Sequence, residues 1–188
     1  MPAFTPRQLV FLVLLTLIWG VNWPVMKLGV THFPPLSFRA LAMWLGVLVV
    51  WVVLRVQRQP LRVPRGEWRT LGLLAFFNMV IWNSLVIVAI PLVSSGRAAI
   101  LGYTMPIFSA VLGSLIWHDR LSLRAWGGVG AAFVGVMLLL WHELEALGSN
   151  PSGPLLILLA ALCWAVGTQM MRRAHMQTPL MVMAFWMM

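Results

Sequence analysis

Amide and hydroxyl side chains occur inside long apolar segments of this sequence, where they could form hydrogen bonds with a polar solute. These residues are Asn22, Asn78, Asn83, Ser84, Tyr103, Thr104, Thr168 and Gln169. At a helical rise of about 1.5 Å per residue, Asn22, Asn83 and the pair Tyr103-Thr104 lie at similar depth. We expect these side chains to line a pocket, and Asn22 above all, because Pro24 leaves a backbone carbonyl unpaired nearby. The alternative is that they only hold helices together.

Three tryptophans lie at the middle of apolar segments. Trp19 and Trp164, like Trp82, are distant from the segment ends, whereas Trp in membrane proteins usually collects at the two interfaces. This position suits an aromatic wall of the same pocket. Packing between helices is the alternative explanation.

Three basic residues lie near one end of their apolar segments, namely Lys27, Arg39 and Arg97. Together they could form a cationic outer vestibule for a solute that carries a carboxylate or a phosphate. Long basic side chains also extend from helix ends to the membrane interface without binding a solute. Both interpretations are compatible with the sequence.

The groups that catalysis or metal binding would need are dispersed. The acidic residues lie in loops or at segment ends, at Glu67, Asp119, Glu143 and Glu145, and the histidines do so at His32, His118, His142 and His175. The single cysteine, Cys163, has no base or carboxylate near it in its segment. A catalytic dyad would need such a neighbour, and proton-driven carriers commonly use a membrane-buried carboxylate. We therefore predict no catalytic residue, metal site, cofactor or obvious proton carrier.

The composition fits a lipid environment. Of the 188 residues, 61% are hydrophobic and 9% are charged, whereas soluble domains have about 25% charged residues. A soluble enzyme, a disordered tail and a disulfide-stapled domain are excluded. The net charge of +9 arises because acidic residues are nearly absent, so it does not indicate a nucleic-acid partner.

Apolar segments of about 20 residues predict an all-α polytopic membrane protein with the lipid bilayer as its partner. Six transmembrane helices are expected at 9–30, 36–54, 70–91, 96–117, 126–141 and 154–171, with the start of a seventh from 179. Within the fifth, small residues recur at the spacing that permits close helix packing. They are Gly127, Gly128, Ala132 and Gly135.

The distribution of basic residues predicts the orientation. With a cytoplasmic N-terminus, the inner side carries Arg7, Arg55, Arg58, Arg62, Arg65, Arg69, Arg120, Arg124, Arg172 and Arg173. The outer side then carries only Lys27, Arg39 and Arg97. Basic residues in short loops remain in the cytoplasm, so we predict that the N-terminus is cytoplasmic.

The sequence repeats itself at an offset of 145 residues, which aligns Trp19 with Trp164, Lys27 with Arg172, and Pro34 with Pro179. Residues 1–147 then form a first five-helix repeat, and residues 148–188 begin a second. An odd number of helices per repeat inverts the second copy, a construction typical of secondary transporters. We expect a truncated form of a ten-helix (5+5) chain of roughly 290 residues.

The order and spacing of several motifs resemble the EamA-type family of the drug/metabolite transporter superfamily. The matching residues are Trp19-Gly20-x-Asn22, Lys27, Pro34-Pro35, Phe38-Arg39, Ser95-Gly96, Ala98-Ala99, Pro106, Asp119-Arg120-Leu121-Ser122, Gly128 and Gly135. The resemblance implies a ten-helix carrier of the cell (inner or plasma) membrane. Such a carrier would export small metabolites, amino acids or drug-like solutes by alternating access.

Two other classes of function remain open. The chain could be a non-transporting membrane subunit or an inactive truncated fragment, and a second copy in a homodimer could cover an exposed repeat interface. An intramembrane enzyme is disfavoured, because no nucleophile, base or metal ligands cluster within a segment.

Overall fold

The computed structural model describes residues 5–146 and 151–188, and the described residues form helices without any strand. Five helical segments are long and apolar enough to cross a membrane: Pro6–His32, Pro35–Val56, Arg65–Leu92, Ser95–Trp117 and Ser152–Arg173. A further helix has a shorter apolar stretch at Leu123–Leu138. The prediction of an all-α polytopic membrane protein is confirmed. The predicted repeat boundary at 147/148 and the side chains of His142, Glu143 and Glu145 lie outside the described residues.

Two of the spans are divided into shorter elements. Helices α1 and α2 are continuous and cover Pro6–His32 and Pro35–Val56. The third span consists of α3, a π-helix and α4, which cover Trp68–Ala75, Phe76–Ile81 and Trp82–Ala89. Short 3-10 turns flank it at Arg65–Glu67 and Ile90–Leu92. The fourth span consists of α5 and α6, which cover Ser95–Gly102 and Met105–Trp117. The remaining helices are α7 (Leu123–Ala146), α8 (Ser152–Arg173) and α9 (Leu180–Met187).

Local signals set the helix ends. The side chain of Thr5 accepts a hydrogen bond from the backbone of Gln8, whose side chain accepts one from the backbone of Thr5. This capping box starts α1. Pro34 caps α2, which begins at Pro35, as the fixed φ of proline favours. His118 adopts a left-handed conformation (φ 58°) that ends α6. Each predicted span falls inside an observed helical segment.

Helix α8 occupies the centre of the bundle and packs against α4, α5, α6 and the π-helix. Its buried face carries the small residues Ala160, Ala161, Ala165 and Gly167, which let neighbouring helices approach closely. A side chain at Gly167 would collide with the amide of Asn78 in the π-helix. The first helix after the predicted repeat boundary is therefore packed against the third and fourth spans that precede it.

The apolar core is divided into two clusters. The main cluster joins α1, α4, α5 and α8 and includes Trp23, Val86, Ile87, Leu101 and Ile157. The second joins α3 to α9 and consists of Leu71, Leu74, Met183 and Met187. The clusters hold the two broken spans against the central helix.

Helix α7 lies at the edge of the bundle and packs against α6. A Cβ atom added at Gly127, Gly128 or Gly135 would meet no heavy atom within 4 Å, and Ala132 is exposed. The predicted close packing on this stripe therefore has no counterpart among the described residues.

Candidate functional site

A cavity of about 360 Å³ lies between α1, α2, α4, α8 and the junction of α5 with α6. Its polar lining consists of Asn22, Arg39, Asn83 and Tyr103. Its aromatic and sulfur-containing lining consists of Trp19, Trp23, Trp82, Trp164, Met26, Met43, Met79, Met105 and Met188. Its volume falls within the range of small-molecule sites, which are mostly apolar with a few polar groups.

Aromatic rings form two sides of the cavity. Trp82 on α4 and Trp164 on α8 lie with ring centroids 5.1 Å apart and planes tilted by 59°. On another side, Trp23 of α1 meets Tyr103 edge to face at 6.3 Å. Both arrangements are favourable for aromatic pairs. The rings thus provide rigid, apolar surfaces contributed by four different parts of the chain.

A hydrogen-bonded pair, Arg39 and Asn83, contributes the charge of the cavity. Arg39 of α2 donates from Nη2 to Oδ1 of Asn83 in α4. Asn83 is 7% exposed, and its Nδ2 donates to the carbonyl oxygen of Met79 at 2.7 Å. Within the described part of the chain, Nε of Arg39 is buried and has no hydrogen-bond partner. The pair therefore presents one orientated guanidinium with an unused donor.

The other predicted polar residues differ in position. Asn22 lines the cavity, and its amide has a weak contact with the Met26 sulfur at 3.8 Å. Thr104 does not line the cavity, because its buried hydroxyl donates to the carbonyl oxygen of Leu101 at 2.6 Å. Asn22 is thus available to a solute, whereas Thr104 stabilises the break between α5 and α6.

The three basic residues of the expected vestibule do not share one environment. Arg39 lines the cavity, whereas Lys27 and Arg97 do not. The Lys27 ammonium donates to the carbonyl oxygens of Ile90, Pro91 and Val93 at 2.8–2.9 Å. These carbonyls belong to the end of the third span, where a helix leaves carbonyls unpaired. Lys27 therefore links α1 to the end of the third span by hydrogen bonds.

A second polar cluster, the Arg173 cluster, joins α6 to α8 away from the cavity. The guanidinium of Arg173 contacts a carboxylate oxygen of Asp119 at 2.7 Å and lies 4.4 Å from the ring centre of Trp117. It also donates to the side chain of Gln169, whose amide donates to the hydroxyl of Ser109 at 3.0 Å. The acidic turn that follows α6 is thereby fixed to the end of α8.

Glu67 fixes the turn between α8 and α9. Its carboxylate accepts hydrogen bonds from the backbone of Gln177 at 2.7 Å and from the backbone and hydroxyl of Thr178. Among the described residues, no group of three or more His, Cys, Asp or Glu could hold a metal ion. Both described carboxylates therefore serve as local structural contacts.

The structure brings together six of the predicted site residues around the cavity: Asn22, Arg39, Asn83, Tyr103, Trp19 and Trp164. No separate signal in the sequence marks Trp23 or the methionines, because these side chains resemble lipid-facing residues. A high methionine content was the one available clue, since methionine fills irregular spaces and adapts to varied ligands. Whether the six residues contact a solute stays a prediction.

A helical bundle of this kind defines an all-α multi-pass membrane protein, here with an internal polar and aromatic cavity. The EamA-like transporter family matches residues 7–141, and the chain belongs to this family. This match confirms the resemblance to the EamA-type family that the sequence motifs indicated.

Similar proteins carry transporter names. The uncharacterized transporter YoaV of Bacillus subtilis is 26% identical over 152 residues, which cover 80% of this chain and 52% of YoaV. The uncharacterized inner membrane transporter YedA of Escherichia coli is 31% identical over 158 residues, which cover 82% of this chain and 49% of YedA. A probable amino-acid metabolite efflux pump of Salmonella typhimurium is 26% identical over 168 residues, which cover 88% of this chain and 54% of the pump.

The chain spans about half the length of these relatives. No solved structure matches it.

Proposed function

We propose that this chain belongs to a secondary transporter that exports small metabolites, amino acids or drug-like solutes by alternating access. The observation that carries the proposal is the cavity lined by Asn22, Arg39 and Asn83, with walls from α1 and α8. Substrate sites of inverted-repeat transporters lie between their repeats, and α1 and α8 would begin the two repeats. The names of the relatives, including an amino-acid metabolite efflux pump, support the direction and the solute class.

The proposed repeats comprise residues 1–147 and the beginning of a second copy at 148–188. Pro34 caps α2 with φ −55° and ψ 132°, and Pro179, at the same offset, caps α9 with φ −57° and ψ 143°. Matching turns at matching positions support a common origin of the two segments. Since the relatives are about twice as long, the transporting unit we propose has ten helices.

The proposed location is the inner membrane with a cytoplasmic N-terminus. One relative is named an inner membrane transporter, and the basic residues favour this orientation. No enzymatic activity is proposed, because the described polar groups of the cavity are amides, a guanidinium and a phenol, without the nucleophile and base that covalent catalysis requires.

The transport proposal is tested by comparing solutes released by cells with and without the polypeptide expressed from its own gene. We expect Asn22→Leu to reduce release several-fold while membrane abundance stays unchanged, because the Asn22 amide has only a weak internal contact. Thr16→Val is the matched control, since Thr16 on the same helix bonds only to the Leu12 carbonyl oxygen.

Equal loss of release and abundance in Asn22→Leu would leave Asn22 with a structural role alone. If cells with the unmodified polypeptide release no additional solute, the non-transporting subunit or inactive fragment becomes the better description. Pairing of two copies would then be examined by comparing the mass of the purified complex with the mass of the single denatured polypeptide from the same preparation.

A further inference from the structure

The guanidinium of Arg39 is held in place but keeps an unused donor. Nη2 donates to Asn83, whereas the buried Nε has no acceptor among the described residues. Buried donors are normally paired, and an unpaired one calls for an explanation. Arg39 also lines the cavity, so its guanidinium, one donor of which is unused inside the protein, is within reach of a molecule that enters the cavity.

The positive charge of Arg39 also lacks a partner within the described part of the chain. The two carboxylates described there bind elsewhere, Glu67 to Gln177 and Thr178, and Asp119 to Arg173. A charge removed from water is costly unless an opposite charge accompanies it. An anion in the cavity would supply the opposite charge.

A carboxylate fits this position better than a phosphate. The N–H groups of a guanidinium lie in one plane and match the two oxygens of a carboxylate. Arg39 is the one charged side chain among the described residues that line the cavity, while Lys27 is bound to three carbonyl oxygens. One positive charge neutralises a monoanion but leaves a phosphate dianion with excess charge.

The rest of the lining selects an apolar body for the same solute. Trp19, Trp82 and Trp164 face the cavity with several methionines, among them Met43 and Met79. Such walls bury apolar or aromatic groups favourably. We infer that the cavity takes a monocarboxylate with an apolar or aromatic body and that Arg39 binds its carboxylate. The inference rests on the proposed function in one respect: it takes the occupant to be the transported solute.

The test is equilibrium binding to the purified polypeptide expressed from its own gene, by scintillation proximity with radiolabelled phenylacetate and isovalerate. We expect saturable binding of at least one of these carboxylates. Phenylacetamide and benzylamine match phenylacetate in shape but lack the negative charge, and we expect neither to compete. Benzylphosphonate, assayed at alkaline pH where it is a dianion, is expected to compete more weakly than phenylacetate.

Substitutions assign the binding to Arg39. We expect Arg39→Gln to weaken carboxylate binding by about ten- to a hundredfold, as loss of a charged hydrogen bond does. Arg39→Lys keeps the charge without the planar donors and should give an intermediate loss. Arg124→Gln is the matched control, because Arg124 is exposed on α7 and outside the cavity. We expect this variant to bind the carboxylates as tightly as the unmodified protein does.

Four results would overturn the inference: no saturable binding of either carboxylate, equal competition by phenylacetamide, binding of benzylphosphonate at least as tight, or unchanged binding in Arg39→Gln. The competition series uses the unmodified protein and decides the case even if Arg39→Gln fails to fold. Carboxylate binding without solute release by cells would contradict the proposed function alone. Release of solutes without any carboxylate binding would contradict this inference alone.

Discussion

Glycine at one position allows two aromatic rings to meet beside the cavity. A Cβ atom added at Gly102 would lie 2.7 Å from the ring of Trp23 and 3.5 Å from that of Trp82. Both distances end on rigid indole rings, and Trp23 is only 6% exposed. The absence of a side chain at Gly102 therefore lets Trp23 reach Tyr103 and form that side of the cavity.

This contact predicts the effect of a single methyl group. Gly102→Ala should destabilise the protein by about 1–3 kcal/mol, the usual cost of overpacking, because the Trp23 ring has to move. The measurement is the thermal unfolding midpoint of the protein in detergent.

Gly72→Ala is the control, because a Cβ atom there meets no heavy atom within 4 Å and alanine favours a helix over glycine by about 1 kcal/mol. Equal thermal unfolding midpoints for Gly102→Ala and Gly72→Ala would show that the Trp23 ring moves without a loss of stability.

The sequence predicted polar and aromatic residues of the cavity better than apolar ones. Asn22, Asn83 and Trp164 stand out because polar and mid-depth aromatic side chains are unusual within apolar spans. Met43 and Met79 have no such contrast, since an apolar side chain in a membrane helix can equally face lipid. The unpaired Nε of Arg39 could not be predicted, because it depends on how α2 and α4 meet.

At the scale of helices, hydropathy predicted which segments form spans but not where the spans are interrupted. The third span contains a π-helix at Phe76–Ile81, and the fourth is interrupted at Tyr103 and Thr104. Capping residues and prolines carry the information on ends. Within the π-helix, the amide of Asn78 lies close to Gly167 of α8, and such a contact between distant segments is not encoded by any local pattern.

The Arg173 cluster predicts unequal effects of substitutions at its two charged members. Asp119→Asn should cost under about 1 kcal/mol, because both side chains are partly exposed (35% for Asp119) and such ion pairs are weak. Arg173→Met should cost about 1–3 kcal/mol, since it also removes the contacts with Gln169 and Trp117.

Thermal unfolding in detergent measures both substitutions. Arg172→Met provides the comparison, because Arg172 is the exposed neighbour of Arg173 and its replacement should leave the midpoint unchanged. A midpoint for Asp119→Asn as low as that for Arg173→Met would mean that the ion pair dominates the cluster.

For the molecule as a whole, the all-helical, multi-pass character was accessible from the sequence, although five helical segments, not six, are long and apolar enough to span a membrane among the described residues. The central position of α8 was not, because its sequence is no more apolar than that of α1 or α2. Its small residues Ala160, Ala161 and Gly167 decide its place by allowing close contact on several sides. Close contact is a property of pairs of helices, so single-helix hydropathy does not reveal it.

The proposed orientation is tested with a membrane-impermeant maleimide on intact cells, in a Cys163→Ser background. His32 is the last residue of α1, Gln59 follows α2, and both are exposed. In the proposed topology they lie on opposite sides of the membrane. We expect His32→Cys to be labelled from outside and Gln59→Cys only after permeabilisation. The reverse pattern would contradict a cytoplasmic N-terminus and the charge argument behind it.

The packing of α8 against earlier helices also sets the order in which the protein assembles during synthesis. Helix α4 ends at Ala89 and α8 at Arg173, so several seconds pass between their syntheses at about 5–20 residues per second. During this interval the early helices are already in the membrane, with the Asn78 amide lacking its neighbour Gly167. The contacts of α8 with α4 and the π-helix therefore form several seconds after those two elements have been synthesised.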